Sequence, residues 1–162
     1  MQKSLYPYVM RSKELPVGRP EVLTRETILE QSPVPWTKPE QCKWKGVIQA
    51  QVLPPTNLRY PVLGYKTDRL CFTLCARCAE RNQQTPCRHR TKERAWITTT
   101  THVELQKALS KAYQVLDVYQ IDSYKEWAGG GEGNLPSLFA GYIDAFFKLK
   151  VGSSHLLSLF SI

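Results

Sequence analysis

Four of the five cysteines and one of the three histidines of this 162-residue chain lie between positions 71 and 89. Cys75 and Cys78 form a C-x-x-C pair, and Cys87 and His89 form a second pair with one residue between them. Two close pairs of sulfur and imidazole ligands at the ends of a short loop are the usual way in which a chain builds a tetrahedral zinc site. We therefore predict that Cys75, Cys78, Cys87 and His89 bind one structural Zn²⁺, which folds a loop that has few apolar residues of its own.

Two alternatives to this ligand set stay open at the level of the sequence. Cys71 could replace one of the four ligands, or the whole group could be unmetallated thiols in a surface loop. Cys42 is expected to lie outside the site. His102 and His155 have no matching partners, so they are expected to be exposed or packed rather than catalytic.

The composition predicts a folded protein inside the cell. Hydrophobic residues make up 42% of the chain, which is enough to build a core. The chain has no apolar run of about 18 residues, and its N-terminus MQKSLYPYVMRSK lacks the apolar stretch of a secretory signal. We expect no membrane span, a nuclear or cytoplasmic location, and reduced cysteines that favour a metal over a disulfide framework.

The formal net charge of +8 arises in the middle of the chain. Residues 41–94 carry eleven Lys and Arg against three Asp and Glu, whereas the segments on either side are close to neutral. A basic block with interleaved aromatic residues, here Trp44, Tyr60 and Tyr65, suits a nucleic-acid backbone or another acidic partner. A solvated basic face is the alternative interpretation.

Local patterns predict the elements that would position these residues. The first 41 residues are rich in proline and turn residues, so we expect a turn followed by extended structure and no long helix. Apolar residues alternate with glutamines at positions 46–53, which predicts a strand that Pro54 ends. The β-branched run from Trp96 to Thr100 indicates a second strand.

A helix is predicted over about 102–113, because Thr101 and Glu104 form a capping box in front of it. The residues 115–121 then indicate a strand that supplies a surface for this helix. The apolar stripe of the helix consists of Leu105, Ala108, Leu109, Ala112 and Tyr113.

The glycine-rich stretch at 127–134 predicts a flexible loop. Nucleotide binding is not expected there, because neither a Gly-Lys-Ser/Thr sequence nor a G-x-G-x-x-G fingerprint is present. Pro136 is expected to open a second, packing helix in which Asp144 and Lys148 form an i, i+4 pair. Its predicted apolar face consists of Leu138, Phe139, Tyr142, Ile143 and Phe146. The last residues resemble a chain cut off within a domain.

The N-terminal motif Ser4-Leu5-Tyr6-Pro7, followed by Pro16 to Pro20, resembles the first polymerase motif of family B DNA polymerases. The resemblance is to the protein-primed branch of viruses, linear plasmids and Polinton/Maverick-type mobile elements. Trp96 to Leu109, the strand around Val118, and Leu138 to Lys148 follow in the order found between that branch's first and second polymerase motifs. The cysteine and histidine pairs also resemble those of the eukaryotic-element members. The likeness covers roughly residues 4–150.

This resemblance implies an α+β fold that contains a partial polymerase palm. Residues 1–40 would form the palm, and residues 41–127 a basic insertion with a strand, a zinc knuckle, a helix and a strand. Residues 128–162 would supply the glycine loop and the packing helix. The implied activity is nucleotidyl transfer of dNTPs in DNA replication, with DNA, dNTP and a terminal (priming) protein as partners. In the family, this insertion contacts the priming protein and lies near the duplex.

The resemblance also implies roles in nucleotide binding for the motif. Leu5 would present its backbone to the triphosphate, Tyr6 would pack under the deoxyribose and exclude a 2′-OH, and Ser4 and Pro7 would shape the turn. In the family, an aspartate three residues before the serine holds two Mg²⁺ ions together with later aspartates, but Met1 occupies that position here.

We therefore predict no catalytic residue in the chain and expect that this fragment does not polymerise alone. Positioning cannot replace the charge stabilisation that carboxylate-bound Mg²⁺ supplies. The alternative is a stand-alone zinc-knuckle module that binds nucleic acid.

Overall fold

The computed structural model describes residues 5–130 and 134–159, and these form the predicted mixture of helices and sheets. The chain divides into two compact units, Pro20–Tyr124 and a second made of Met1–Arg19 with Lys125–Ile162. In chain order the elements are α1 (Leu5–Ser12), β1 (Leu15–Val17), β2 (Glu21–Thr24), α2 (Arg25–Gln31), a 3₁₀ turn (Pro39–Gln41), β3 (Gly46–Leu53), β4 (Gly64–Lys66), β5 (Leu70–Phe72), α3 (Ala76–Glu80), α4 (Thr91–Arg94), β6 (Trp96–Thr101), α5 (His102–Leu109), β7 (Gln114–Ser123), β8 (Glu126–Ala128) and α6 (Ala140–Leu159).

The larger unit is organised around an antiparallel sheet with the strand order β2-β7-β3-β6. The predicted strand at 46–53 is confirmed as β3, which lies inside the sheet and pairs with β6 and β7. Its alternate residues Ile48, Ala50 and Val52 are fully buried, whereas Gln49 faces solvent. The period-two pattern therefore reports a strand with one face on the core.

The predicted helix after Thr101 is present, but it ends at Leu109, four residues earlier than predicted. Ala112 adopts a φ of 62°, in the left-handed region, and the Tyr113 N–H donates to the carbonyl of Ala108. The chain therefore turns back at Ala112, and Tyr113, although buried, belongs to the connection into β7. The helical part of the predicted stripe is buried and consists of Leu105, Ala108 and Leu109.

The two other predicted strands are confirmed as β6 and β7, and β7 extends beyond 115–121 at both ends. The hairpin of β4 and β5 was missed by the sequence patterns. Each of its strands has three residues, which is too short for an alternation to be recognised.

The expectation of turn and extended structure before residue 41 is wrong for α1 and α2, which have eight and seven residues. Both helices are short, in agreement with the expectation that this region has no long helix. Leu5, Tyr6 and Pro7 form the first turn of α1, where proline is tolerated because the helix needs no N–H donor there. Ser4 and Met1 lie outside the described residues.

In the smaller unit, α1 contacts α6 and β1 pairs antiparallel with β8. Arg11 Nε donates to Asp144 Oδ1 over 2.6 Å, and this hydrogen bond lowers the pKa of Asp144. Asp144 is thus bonded to Arg11, and the predicted partner Lys148 adds only the attraction of its charge. The helix α6 begins at Ala140, four residues after Pro136, and of its predicted apolar face only Ile143 is buried.

The prediction of a loop for 127–134 is wrong at its start, because residues 127 and 128 belong to β8. Gly129 and Gly130 both have a φ of 77°, which L residues with a side chain rarely adopt. A Cβ atom on Gly130 would also lie 2.7 Å from the backbone nitrogen of Glu14. These two glycines therefore meet a steric requirement, while residues 131–133 lie outside the described part of the chain.

None of the helices in the described ranges combines the length and the apolar character needed to cross a membrane.

Candidate metal centre

The four predicted ligands lie together, with their ligand atoms all within 4.8 Å of one another. The Nδ1 atom of His89 is 3.5 Å from Sγ of Cys75, 3.3 Å from Sγ of Cys78 and 3.6 Å from Sγ of Cys87. With Zn–S bonds of about 2.3 Å and a Zn–N bond of about 2.0 Å, tetrahedral geometry puts the nitrogen about 3.5 Å from each sulfur. The donor set and its spacing therefore fit a tetrahedral metal ion such as Zn²⁺.

The first ligand pair is positioned by the start of α3. Cys75 is the N-cap residue, and its Sγ accepts a hydrogen bond from the backbone N–H of Cys78 at 3.4 Å. The Cys75 N–H in turn donates to Thr73 Oγ1 at 3.1 Å. One helical turn separates the two cysteines, so both sulfur atoms reach the same side of the loop.

The second pair is brought back by the loop that follows α3. Asn82 adopts a φ of 47°, which asparagine tolerates better than most residues, and reverses the chain. The Gln83 N–H then donates to the carbonyl of Cys78 at 3.0 Å. The Gln83 side-chain amide also donates to the carbonyls of Thr85 and Pro86. A local hydrogen-bond network thus leads the chain towards Cys87.

Two thiols of the cluster have pKa values that are shifted in opposite directions. Burial, followed by hydrogen bonds to Cys87 and Cys75, raises the pKa of Cys78 to about 12. Burial acts in the same direction on Cys87, but hydrogen bonds with His89, Cys78 and Cys75 together outweigh it and lower the pKa of Cys87 to about 7. Cys87 thus ionises more readily than Cys78. A divalent metal at this site would hold the sulfurs as thiolates.

The two remaining cysteines lie outside this cluster. Cys71 is on β5, where its Sγ contacts the carbonyl of Arg69 at 3.7 Å. Cys42 is buried in the core and donates to the carbonyl of Trp44, and burial raises its pKa to about 11. Among the described residues the ligand group contains neither of them.

Of the two histidines outside the cluster, His102 has a described side chain. His102 accepts a hydrogen bond from the Gly46 N–H at 3.2 Å and so has a packing role. The side chain of His155 lies outside the described part of the chain.

Arg94 is a residue of this region that the sequence patterns missed. It belongs to the basic block, yet only 9% of its surface is exposed. Its Nη2 donates to the carbonyls of Pro54 at 2.7 Å, Pro55 at 2.8 Å and Leu74 at 3.5 Å. Arg94 therefore ties the residue before Cys75 to the end of β3.

The other basic residues of 41–94 are exposed to solvent. They are ten of the eleven, and Arg94 is the exception. Arg77 forms an ion pair with Glu80 at 3.1 Å. The exposed residues are Lys43, Lys45, Arg59, Lys66, Arg69, Arg77, Arg81, Arg88, Arg90 and Lys92.

The predicted nucleotide-binding residues lie in the smaller unit. Leu5 and Tyr6 are strongly exposed on the first turn of α1, and Pro7 is half-buried. Their role in binding a nucleotide stays a prediction.

Fold and site together define an α+β protein with a cysteine and histidine cluster that could hold a metal ion, and with many exposed basic residues. Residues 3–154 match the family model of DNA polymerase type B, organellar and viral. Because this match covers almost the whole chain, the chain belongs to the organellar and viral type B DNA polymerases. This finding confirms the resemblance to family B DNA polymerases. No curated protein and no solved structure matches the chain at a significant level.

Proposed function

We propose that the chain serves protein-primed DNA replication, as part of a DNA-directed DNA polymerase that transfers dNTPs. The observation that carries this proposal is the family match over residues 3–154. The motif Ser4-Leu5-Tyr6-Pro7, at the head of the chain, supports the protein-primed branch. In this proposal the partners are DNA, dNTP and a terminal protein that primes synthesis.

We assign the segment 41–127 to the insertion that holds DNA or an acidic face of the priming protein. The ten exposed cations of residues 41–94 support this role, because each cation near a phosphate releases a condensed counterion. Zinc at Cys75, Cys78, Cys87 and His89 would stabilise the fold of the segment and take no part in nucleotidyl transfer. The flanking segments, 1–40 and 128–162, are assigned to a partial palm and to the glycine loop with its helix.

The nucleotide would bind at Ser4, Leu5, Tyr6 and Pro7. We propose that the 162 residues do not polymerise by themselves, because Met1 stands where the family has a metal-binding aspartate. Without that carboxylate the chain lacks a ligand for the Mg²⁺ ions that activate the primer hydroxyl. Primer extension with Mg²⁺ and dNTPs tests this point, and measurable incorporation by the pure chain would contradict it.

DNA binding is tested with the 162-residue protein purified in Zn²⁺, by fluorescence anisotropy of a labelled duplex at several salt concentrations. Binding should weaken steeply as salt rises, since the contacts are to phosphates. The double variant Arg88→Gln/Lys92→Gln should bind more weakly and with a smaller salt slope. Lys111→Gln is the control, because this exposed lysine lies outside the basic block. Equal losses in both variants would exclude a specific role for the block.

A stand-alone module that binds nucleic acid through the zinc knuckle is the second candidate. The clustered ligands beside exposed cations favour it, because this surface needs no polymerase motif in order to bind. The flanking coding sequence separates the two proposals. Polymerase motifs with the missing aspartates would support the first, and their absence together with salt-dependent binding would support the second.

A further inference from the structure

We propose that Arg59 and Tyr60 form a stacking site for an unpaired base of single-stranded DNA. The two residues lie in the loop 54–62, which leaves the end of β3. This inference rests on the proposed DNA-binding role of the basic segment. It adds one specific contact, the stacking of a base on Tyr60, and a preference for single-stranded over duplex DNA.

The aromatic residues of the basic segment differ in what their rings contact. Trp44 stacks on Trp36, with ring centroids 6.0 Å apart, and Tyr65 packs on Trp96 at 5.4 Å. Both are partly buried against the core. Tyr60 is 72% exposed and contributes nothing to this packing. Of these three interleaved aromatic side chains, Tyr60 is the one that offers a ring face to a ligand.

The neighbour of Tyr60 supplies a charge at the same place. The guanidinium carbon of Arg59 lies 5.2 Å from the centroid of the Tyr60 ring, within the range of a cation–π contact. Within the described residues, Arg59 forms no ion pair with a carboxylate, so its charge is not neutralised by the protein. A nucleotide presents a base with a π face and a phosphate with a negative charge. The pair of side chains matches both groups.

The loop is held on both sides of the pair. Arg94 binds the carbonyls of Pro54 and Pro55 at the start of the loop. At its end, the N–H of Val62 donates to the hydroxyl of the buried Tyr113 at 3.2 Å. Leu58, just before the pair, also packs against the core. Because its flanks are fixed, the loop presents Tyr60 without a large loss of conformational entropy on binding.

The same anchor connects the loop to the metal centre. Arg94 also donates to the carbonyl of Leu74, which precedes the ligand Cys75. Thr56 of the loop lines the cavity that contains the four ligands. The loop that carries the stacking pair and the loop that carries the ligands are therefore joined through Arg94 within one folded unit.

The geometry of stacking favours single-stranded over duplex DNA at this site. A base inside a duplex has both faces covered by its neighbours, whereas an unpaired base can place one face on an aromatic ring. Stacking tolerates any base, because each has a π face. We therefore expect a preference for single strands with little dependence on sequence.

The experiment measures the anisotropy of a labelled oligothymidine, of an abasic oligonucleotide of the same length and of a duplex. The protein is the 162-residue chain purified in Zn²⁺. Tyr60→Ala should weaken oligothymidine binding by about 5- to 100-fold, and Tyr60→Phe by less than about twofold, because the ring is kept. Neither variant should change binding of the abasic strand. Phe72→Ala is the matched control, because this aromatic residue is 61% exposed in the same unit. It should leave all three affinities unchanged.

The proposal is overturned if Tyr60→Ala leaves oligothymidine affinity within about twofold of wild type, or if the abasic strand loses as much affinity as oligothymidine. When duplex binding of the wild type is still salt-dependent in either case, only the stacking site fails. If the wild type binds none of the three nucleic acids, the DNA-binding role of the segment fails with it. Metal content and circular dichroism of each variant verify that the fold is retained.

Discussion

Arg94 and Pro54 are joined by a hydrogen bond of 2.7 Å, in which a buried guanidinium donates to a carbonyl at the end of the central strand. Two further carbonyls, those of Pro55 and Leu74, accept from the same nitrogen. The first bond joins residues 40 positions apart in the chain. The three bonds together hold Leu74, the residue before Cys75, next to the segment that follows β3.

Replacement of Arg94 should destabilise the larger unit. Arg94→Ala leaves carbonyls without their donor, and a hydrogen bond to a charged group contributes about 1.5–3 kcal/mol. We expect the free energy of unfolding, measured with urea, to fall by about 2–4 kcal/mol. Arg90→Ala is the matched control, because Arg90 is exposed. An equal, small effect of both substitutions would show that the burial of Arg94 has no energetic importance.

The four-ligand cluster predicts how many zinc ions each chain binds. The protein should bind one Zn²⁺ per chain, and Cys75→Ser should abolish this binding, because Cys75 is the buried ligand and also caps α3. Cys71→Ser should keep the metal, since Cys71 lies outside the cluster. Elemental analysis of the purified variants measures both. Loss of metal in Cys71→Ser alone would contradict the ligand set.

Removal of zinc should unfold the knuckle. A loop that has few apolar residues of its own gains its order from the metal. Chelation should therefore broaden or shift the amide signals of residues 73–93 in a nuclear magnetic resonance spectrum. Signals of the β3 residues should change less, because β3 is packed in the core. Unchanged spectra after complete removal of metal would contradict a structural role. Acidification should release the ion, because the ligands must lose protons to bind it.

The capping box of α5 predicts a pH-dependent contribution to stability. Burial acts to raise the pKa of Glu104, but hydrogen bonds from Thr100 and Thr101 outweigh it and lower the pKa below its usual 4.5. Since the folded pKa is depressed, the contribution is present above pH 4.5 and is lost as the pH falls through the folded value. Glu104→Gln should thus be less stable than wild type at pH 7, and the difference should shrink in acid. A difference that stays constant from pH 7 to pH 3 would contradict this origin.

Thr101→Ala should cost about 0.5–2 kcal/mol of unfolding free energy, the usual effect of losing an N-cap side chain. Thr101 Oγ1 accepts from the Glu104 N–H at 3.3 Å, so this bond is lost with the hydroxyl. Thr99→Ala, on the exposed side of β6, is the control. Thermal unfolding of the three proteins measures the effect, and equal midpoints would contradict the role of the cap.

Gly46 allows two strands to approach closely. A Cβ atom at this position would overlap the carbonyl oxygen of Asp122 on β7. Gly46→Ala should therefore force the strands apart and lower the stability by more than about 2 kcal/mol. Gly141→Ala is the opposite case, because nothing lies within 4 Å and alanine favours a helix. Similar stability of the two variants would contradict the steric argument.

The sequence alone determined the elements that depend on neighbouring residues. The alternation at 46–53 predicted β3, and the spacing of Thr101 and Glu104 predicted the start of α5. The ligand set Cys75, Cys78, Cys87 and His89 could be chosen because each pair lies within one turn of chain. Each of these features involves residues that are close in sequence, so the local geometry of the chain is enough to set it.

The tertiary structure alone decided which residues meet across long stretches of chain. It buried Arg94 among the carbonyls of Pro54, Pro55 and Leu74. It also ended α5 at Leu109, and exposed Tyr60 while it packed Tyr65. An arginine in a basic segment and a tyrosine between basic residues have the same local pattern whether they are buried or free. Burial depends on how distant segments fill the space around each side chain, and a local pattern does not contain that information.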